Sequence, residues 1–145
     1  MTINQISVFI ENKKGAMLTV LELLKQADIQ IIASTVSDTV DYGIYRIICS
    51  DPGKAYRLLK EKGMSVTLSD VFAIELNNTP GQAASVMHVF AEAKINISYL
   101  YSFLVKGKGI LIFRTDDTEK TREIISLNKL SFVTDKQLQS LADQP

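Results

Sequence analysis

Slid against itself by 66 residues, the distance from Gly15 to Gly81, the chain aligns without an insertion from Gln5 to about Ser69. Asn12 falls on Asn78, Val20 on Val86, Ala27 on Ala93, Ile29 on Ile95, Ile31 on Ile97, Gly43 on Gly109 and Asp51 on Asp117. Coincidence yields scattered identities. It does not place glycines at corresponding turn positions while keeping the hydrophobic pattern in phase. The chain is one small folding unit used twice.

Each half reads as β-α-β-β-α-β. In the first, Ile6, Val8 and Ile10 alternate in a short strand, which Asn12-Lys13-Lys14-Gly15 breaks. Leu18, Leu21 and Leu24, with Met17, Val20 and Ala27, give an apolar face at helical spacing. Ile29–Ser37 and Ile44–Cys49 are β-branched runs joined by the loop Asp38–Gly43. Asp51-Pro52 opens the next helix, with Asp as N-cap and Pro at its first position. Leu58 and Leu59 face the core, Gly63 ends the helix, and Met64–Leu68 is the closing strand.

The second half repeats the pattern. Val71–Leu76 is a strand, and Thr79-Pro80-Gly81 starts a helix that runs to about Lys94. Ile95–Val105 turns through Lys106-Gly107-Lys108-Gly109 into Ile110–Thr115. Asp117 heads a helix carrying Ile124 and Ile125, and Leu130–Val133 closes the unit. Two split β-α-β halves place a four-stranded antiparallel sheet under two helices, an α+β, ferredoxin-like arrangement. The expected organisation is a first domain at 1–69, a second at 70–134 and a polar tail, Asp135–Pro145. Units this small are marginal alone. Their uncovered sheet edges seek partners, so a homodimer or higher even oligomer is expected.

Composition narrows function by exclusion. Sixteen basic residues balance 16 acidic ones, so no net field draws the chain to nucleic acid or an acidic membrane. Cys49 is the single cysteine and sits in an apolar run, which fits a buried thiol in a reducing compartment and excludes multi-cysteine metal sites. The N-terminus lacks the basic start of a signal peptide, and no apolar run of the required length spans a bilayer. A cytoplasmic protein is expected. His88, the single histidine, shares its helix with Val86, Val89 and Phe90 and is expected to point away from them. No second His or Cys is present for a triad or a zinc site. Asp28, Asp38 and Asp41 sit in polar turns without a paired acid, and no GxxxxGK[ST] phosphate loop occurs. Neither catalysis nor a metal or other cofactor is expected.

The loop after the first strand carries the strongest local signal. In the second half it reads LNNTPGQA, followed by KINIS; in the first, IENKKGAML, followed by ADIQII. From Gln5 to Val133 the chain resembles a tandem of ACT domains, such as those in acetolactate synthase regulatory subunits. That family has Asp or Asn and then Pro-Gly at this loop, and Gly-x-Asn-Ile at the start of the second strand. Lys14 stands where the family often has Pro, Gln30 where it has Asn, and Lys94 where it has Gly. The resemblance implies a regulatory module that binds a free amino acid, with Gln30 and Asn96 as a second polar contact.

The residues suit that chemistry. A glycine at a helix head admits a ligand close to the backbone, and the free N–H groups there favour a carboxylate. Asn12 and Asn78 add amides that both donate and accept, matching a zwitterion. Helix capping and turn formation explain the same residues without a ligand. The expected contacts are Asn12, Lys14, Gly15, Ala16, Met17 and Gln30 from the first half, and Asn78, Pro80, Gly81, Gln82 and Asn96 from the second. They would act across an interface between units. Tyr99 and Tyr101 fit a core or interface stripe better than ligand stacking, and Lys13, Lys106 and Lys108 fit solvated turns. The leading expectation is a stand-alone amino-acid sensor that changes its own assembly or binds a biosynthetic enzyme or transporter. The others are an interaction module that has lost the ligand and an acylphosphatase-like enzyme. The last would want an arginine cradle that the first loop lacks.

Overall fold

The computed structural model describes residues 1–11, 13–38 and 42–142, with the backbone alone for residues 38, 141 and 142. The chain divides into two compact units, Asn4–Ser69 and Asp70–Pro145, the latter joined by Met1–Ile3.

The first unit contains β1 (Ile3–Glu11), α1 (Ala16–Gln26), β2 (Ile31–Asp38), β3 (Tyr42–Cys49), α2 (Pro52–Glu61) and the start of β4 (Ser65–Asn77). Its strands lie in the order β2-β3-β1-β4. β1 and β3 are antiparallel, with Ile6 opposite Ile47 and Glu11 opposite Tyr42. Strand alternation sends Ile6, Val8 and Ile10 into one core with Val20 and Leu24 of α1, Leu59 of α2 and Ile47 of β3. Met17 and Leu18 do not join it; they stay 40% and 58% exposed. Leu18 lies about 200° around the helix from Val20, so the face that buries Val20 and Leu24 turns it outward.

The second unit holds the rest of β4, then α3 (Gln82–Glu92), β5 (Ile97–Val105), β6 (Lys108–Thr115), α4 (Thr118–Leu127) and α5 (Asp135–Ala142). Its first four complete elements, α3 to α4, begin 66 residues after their counterparts in the first unit. Register repeats as well. Phe72 faces Phe113, Asn77 faces Lys108, and the slip between Ile31 and Ala33 recurs between Ile97 and Tyr99. The strand order is β4-β6-β5. Phe90 of α3 packs 5.2 Å from Phe113, itself 5.7 Å from Phe72, between ring centroids.

Both units are ferredoxin-like, but their closing segments differ. Ser65 continues without a break into Asn77 as one strand, where a closing strand and a separate opening strand were expected. No glycine or proline interrupts the segment, so nothing forces a turn at the junction. In the second unit the closing strand shrinks to a bridge between Ile74 and Phe132. Ser131 accepts from the Glu75 N–H at 2.7 Å, and the Val133 N–H donates to Ala73 at 2.8 Å. The expected polar tail forms helix α5, with Leu138 1% exposed. Lys108 and Gly109 also belong to a strand rather than a turn. The turn itself is Lys106-Gly107, both with positive φ, the backbone of a two-residue hairpin loop.

Candidate functional site

The helices in each unit start in two ways. At α2 and α4, Asp51 and Asp117 accept from the backbone N–H of Lys54 and Lys120, at 3.1 and 3.0 Å. At α1 and α3 the N-cap is a glycine in the left-handed region, Gly15 at φ 84° and Gly81 at φ 88°, and no described side chain caps the first turn. Thr19 and Ser85 repeat one local contact, each hydroxyl donating at 3.0 Å to the glycine carbonyl one turn earlier. Asn78 does not cap α3. The capping explanation therefore does not account for it, while Asn12 lies outside the described residues. The Ala16 and Gln82 N–H groups donate at 3.4 Å to the Lys13 and Thr79 carbonyls, and the other first-turn amides have no described side-chain cap, the kind of helix head that favours an anion.

Two cavities flank this loop in each unit, at equivalent positions. In the first unit a cavity of about 460 Å³ lies beside the end of β1, between α1 and the start of β4. All ten residues lining its 390 Å³ counterpart in the second unit are equivalents of its own lining residues. On the side of the β2–β3 hairpin a second cavity measures about 400 Å³, and its counterpart about 260 Å³. Seven lining positions are shared between these two, from Ile10 and Leu76 to Gly43 and Gly109.

The expected site residues distribute unevenly. Gly15, Ala16 and Met17 line the hairpin-side cavity of the first unit, and Ala16 also lines the β4-side one. Asn78 and Gln82 line the hairpin-side cavity of the second unit, and Gln82 the other as well. Lys14, Pro80 and Gly81 line none of the four. Gln30 and Asn96 sit at the far end of the helix, about 16 Å away along its 11 residues. Their backbones clamp the end of the neighbouring strand. The Gln30 N–H donates to Ser50 Oγ at 2.9 Å, and the Asn96 N–H to Asp116 Oδ1 at 3.2 Å. Within a unit, therefore, the loop and the second-strand residue do not meet.

Several cavity residues were not expected from sequence. Phe9, Tyr42, Glu11, Lys13 and Met64 line the first-unit β4-side cavity, and Lys108, Glu75 and Lys129 its counterpart. Lys108 is not left to water, since its Nζ lies 2.7 Å from Glu75. The offset alignment already paired Phe9 with Glu75 and Tyr42 with Lys108, a contrast that could have marked these walls.

Reactive groups lie elsewhere. Cys49 is buried, and burial pushes its thiol up to about 11, with the Asp51 charge adding and a backbone hydrogen bond at Asp51 opposing. It is therefore a thiol, not a thiolate, at neutral pH. His88 is exposed and its Nε2 lies 3.0 Å from Glu92, one turn along α3. Among the described residues no group of His, Cys, Asp and Glu is arranged to hold a metal ion, and no helix is long and apolar enough to cross a membrane.

The family described as "ACT domain pair" matches residues 1–142. Protein BT0572 from Bacteroides thetaiotaomicron, a solved crystal structure, is 32% identical and superposes with a TM-score of 0.91 over 96% of each chain. The regulatory subunit of aspartate kinase from Thermus thermophilus, in ligand-free form, is 14% identical, with a TM-score of 0.61 over 86% of this chain and 91% of that one. Clostridium acetobutylicum aspartate kinase matches 84% of this chain with 32% of its own, at a TM-score of 0.52 and 18% identity. These last two likenesses show a shared fold. No curated protein matches the chain.

Proposed function

The chain belongs to the ACT domain pair family, and we propose that it is a regulatory sensor that binds a free amino acid beside the loop entering α1 or α3. The observation that carries this reading is the repeated loop. In both units a left-handed glycine heads a helix without a described side-chain cap, next to a cavity of about 400 Å³ in the first unit and 260 Å³ in the second. The helix amides receive the carboxylate, and Asn12 or Asn78 the ammonium. The sensor acts by changing its own assembly or by engaging an enzyme, as a regulatory subunit does. Without a ligand the same fold would serve as an interaction module, a reading favoured by the exposed Leu100 and Leu104 on β5.

Calorimetry with the twenty amino acids tests the choice. One of them is expected to bind, and Asn12→Ala or Asn78→Ala to weaken it tenfold to a hundredfold, the loss of about 1.5–3 kcal/mol for a polar contact to a charged group. If both variants fold and bind as tightly as wild type, the loop is not the site. Silence across all twenty would leave the interaction module.

A further inference from the structure

The first unit carries an aromatic pair where its twin carries an ion pair. Phe9 and Tyr42 are 42% and 43% exposed, with ring centroids 6.0 Å apart, and line the 460 Å³ β4-side cavity. The residues 66 positions on are Glu75 and Lys108, whose charged groups meet at 2.7 Å on the wall of the equivalent cavity. The rim differs in the opposite sense. Glu11 and Lys13, 3.1 Å apart, line the first-unit cavity, and their counterparts are the neutral Asn77 and Thr79. One cavity thus joins an apolar wall to one charge of each sign. The other has a charged wall and a neutral rim.

We propose that the β4-side cavity of the first unit is the amino-acid site, and that it takes one free amino acid per chain with a large apolar or aromatic side chain. The side chain packs on Phe9 and Tyr42, while the carboxylate and ammonium stay at the loop, where Lys13 and Glu11 on the rim add one charge of each sign to the contacts of the helix amides and Asn12. The cavity has the volume such a ligand needs. In the second unit the same side chain would strip water from the Glu75–Lys108 pair and from Lys129, a desolvation that apolar contact does not offset. The half-exposed positions of Phe9 and Tyr42 tolerate charge, as the second unit shows. The assignment rests on the chain binding free amino acids at all.

The test titrates L-phenylalanine, L-leucine and L-serine by calorimetry into the wild-type chain and into Phe9→Glu/Tyr42→Lys, with molar mass followed by light scattering. L-Phenylalanine or L-leucine is expected to bind once per chain, L-serine far more weakly, and the double variant to lose at least tenfold in affinity. Lys13→Thr, an exposed change that imports the second unit's rim, is expected to weaken binding as well and stands in if the double variant fails to fold. Tightest binding by L-serine, two sites per chain, or unchanged affinity in the variants would overturn this assignment while leaving amino-acid binding in place. A double variant with altered mass and unaltered affinity would also overturn it, making the aromatic pair a contact between copies. If none of the twenty amino acids binds, both readings fall.

Discussion

Four helices end on one backbone device, and the residues that hold it differ. Asp28, Gly63, Lys94 and Lys129 all have positive φ, at 57°, 81°, 58° and 51°. In each case the next N–H reaches back 3.0 Å to a carbonyl of the last turn, as from Met64 to Leu59 and from Leu130 to Ile125, the pairing of a Schellman end. Gly63 and Lys129 are equivalent positions, so the protein contains its own comparison. A Cβ at Gly63 would meet nothing within 4 Å, which isolates the backbone cost. Gly63→Ala is expected to lower unfolding stability in urea by about 1 kcal/mol, and Lys129→Gly to raise it by about 0.5–1 kcal/mol, part of the strain relief being offset by the looser unfolded chain. Equal stabilities for all three proteins would show that neither position is strained. Gly63 was legible as a helix end because glycine announces this conformation. Asp28 was less so, since aspartate tolerates a left-handed turn without announcing one; Lys94 and Lys129 were not, since lysine favours none, and the offset alone gives Lys129 away.

At the scale of elements, what reads well from sequence is what a single residue type dictates locally. Asp51-Pro52 was expected to open a helix, and Asp51 caps α2 through the Lys54 N–H. Asp117 does the same for α4. Asp51→Ala and Asp117→Ala are each expected to cost about 1 kcal/mol in urea unfolding, and by similar amounts because the geometry repeats. A cap that costs nothing would mean its helix start is held by other contacts. What did not read well depends on residues far apart. The leucine-rich start of α1 offers apolar residues on more than one side, and packing alone leaves Leu18 outside. The tail looked polar because Leu138, Leu141 and Ala142 are outnumbered by Gln, Lys, Ser and Asp, yet Leu138 is buried. The cavity walls join residues of opposite strand faces, so the alternation that marked Val8 and Ile10 as core gave no sign that Phe9 beside them lines a cavity. Gln30 and Asn96 belong to the same motif as the loop, but a full helix separates them from it in their own unit.

For the molecule as a whole, balanced charge leaves association to surface shape and apolar patches. β5 ends the strand order of its unit, beside β6. Natural edge strands are usually blunted by lysine, proline or short length. β5 is nine residues long, contains no charged residue and no proline between Ile97 and Val105, and leaves Leu100 and Leu104 at 47% and 64% exposed. A second copy related by a twofold axis presents the same strand in antiparallel direction, so one patch serves both partners. Light scattering at micromolar concentration is therefore expected to give about 32 kDa, twice the 16.1 kDa of one chain. Leu104→Lys sets two like charges into that shared patch and is expected to return the mass toward 16.1 kDa while leaving the unit folded, because the position is already open to water. A wild-type chain that stays at the single-chain mass would rule out self-association. A dimer indifferent to Leu104→Lys would move the interface off β5 to another surface.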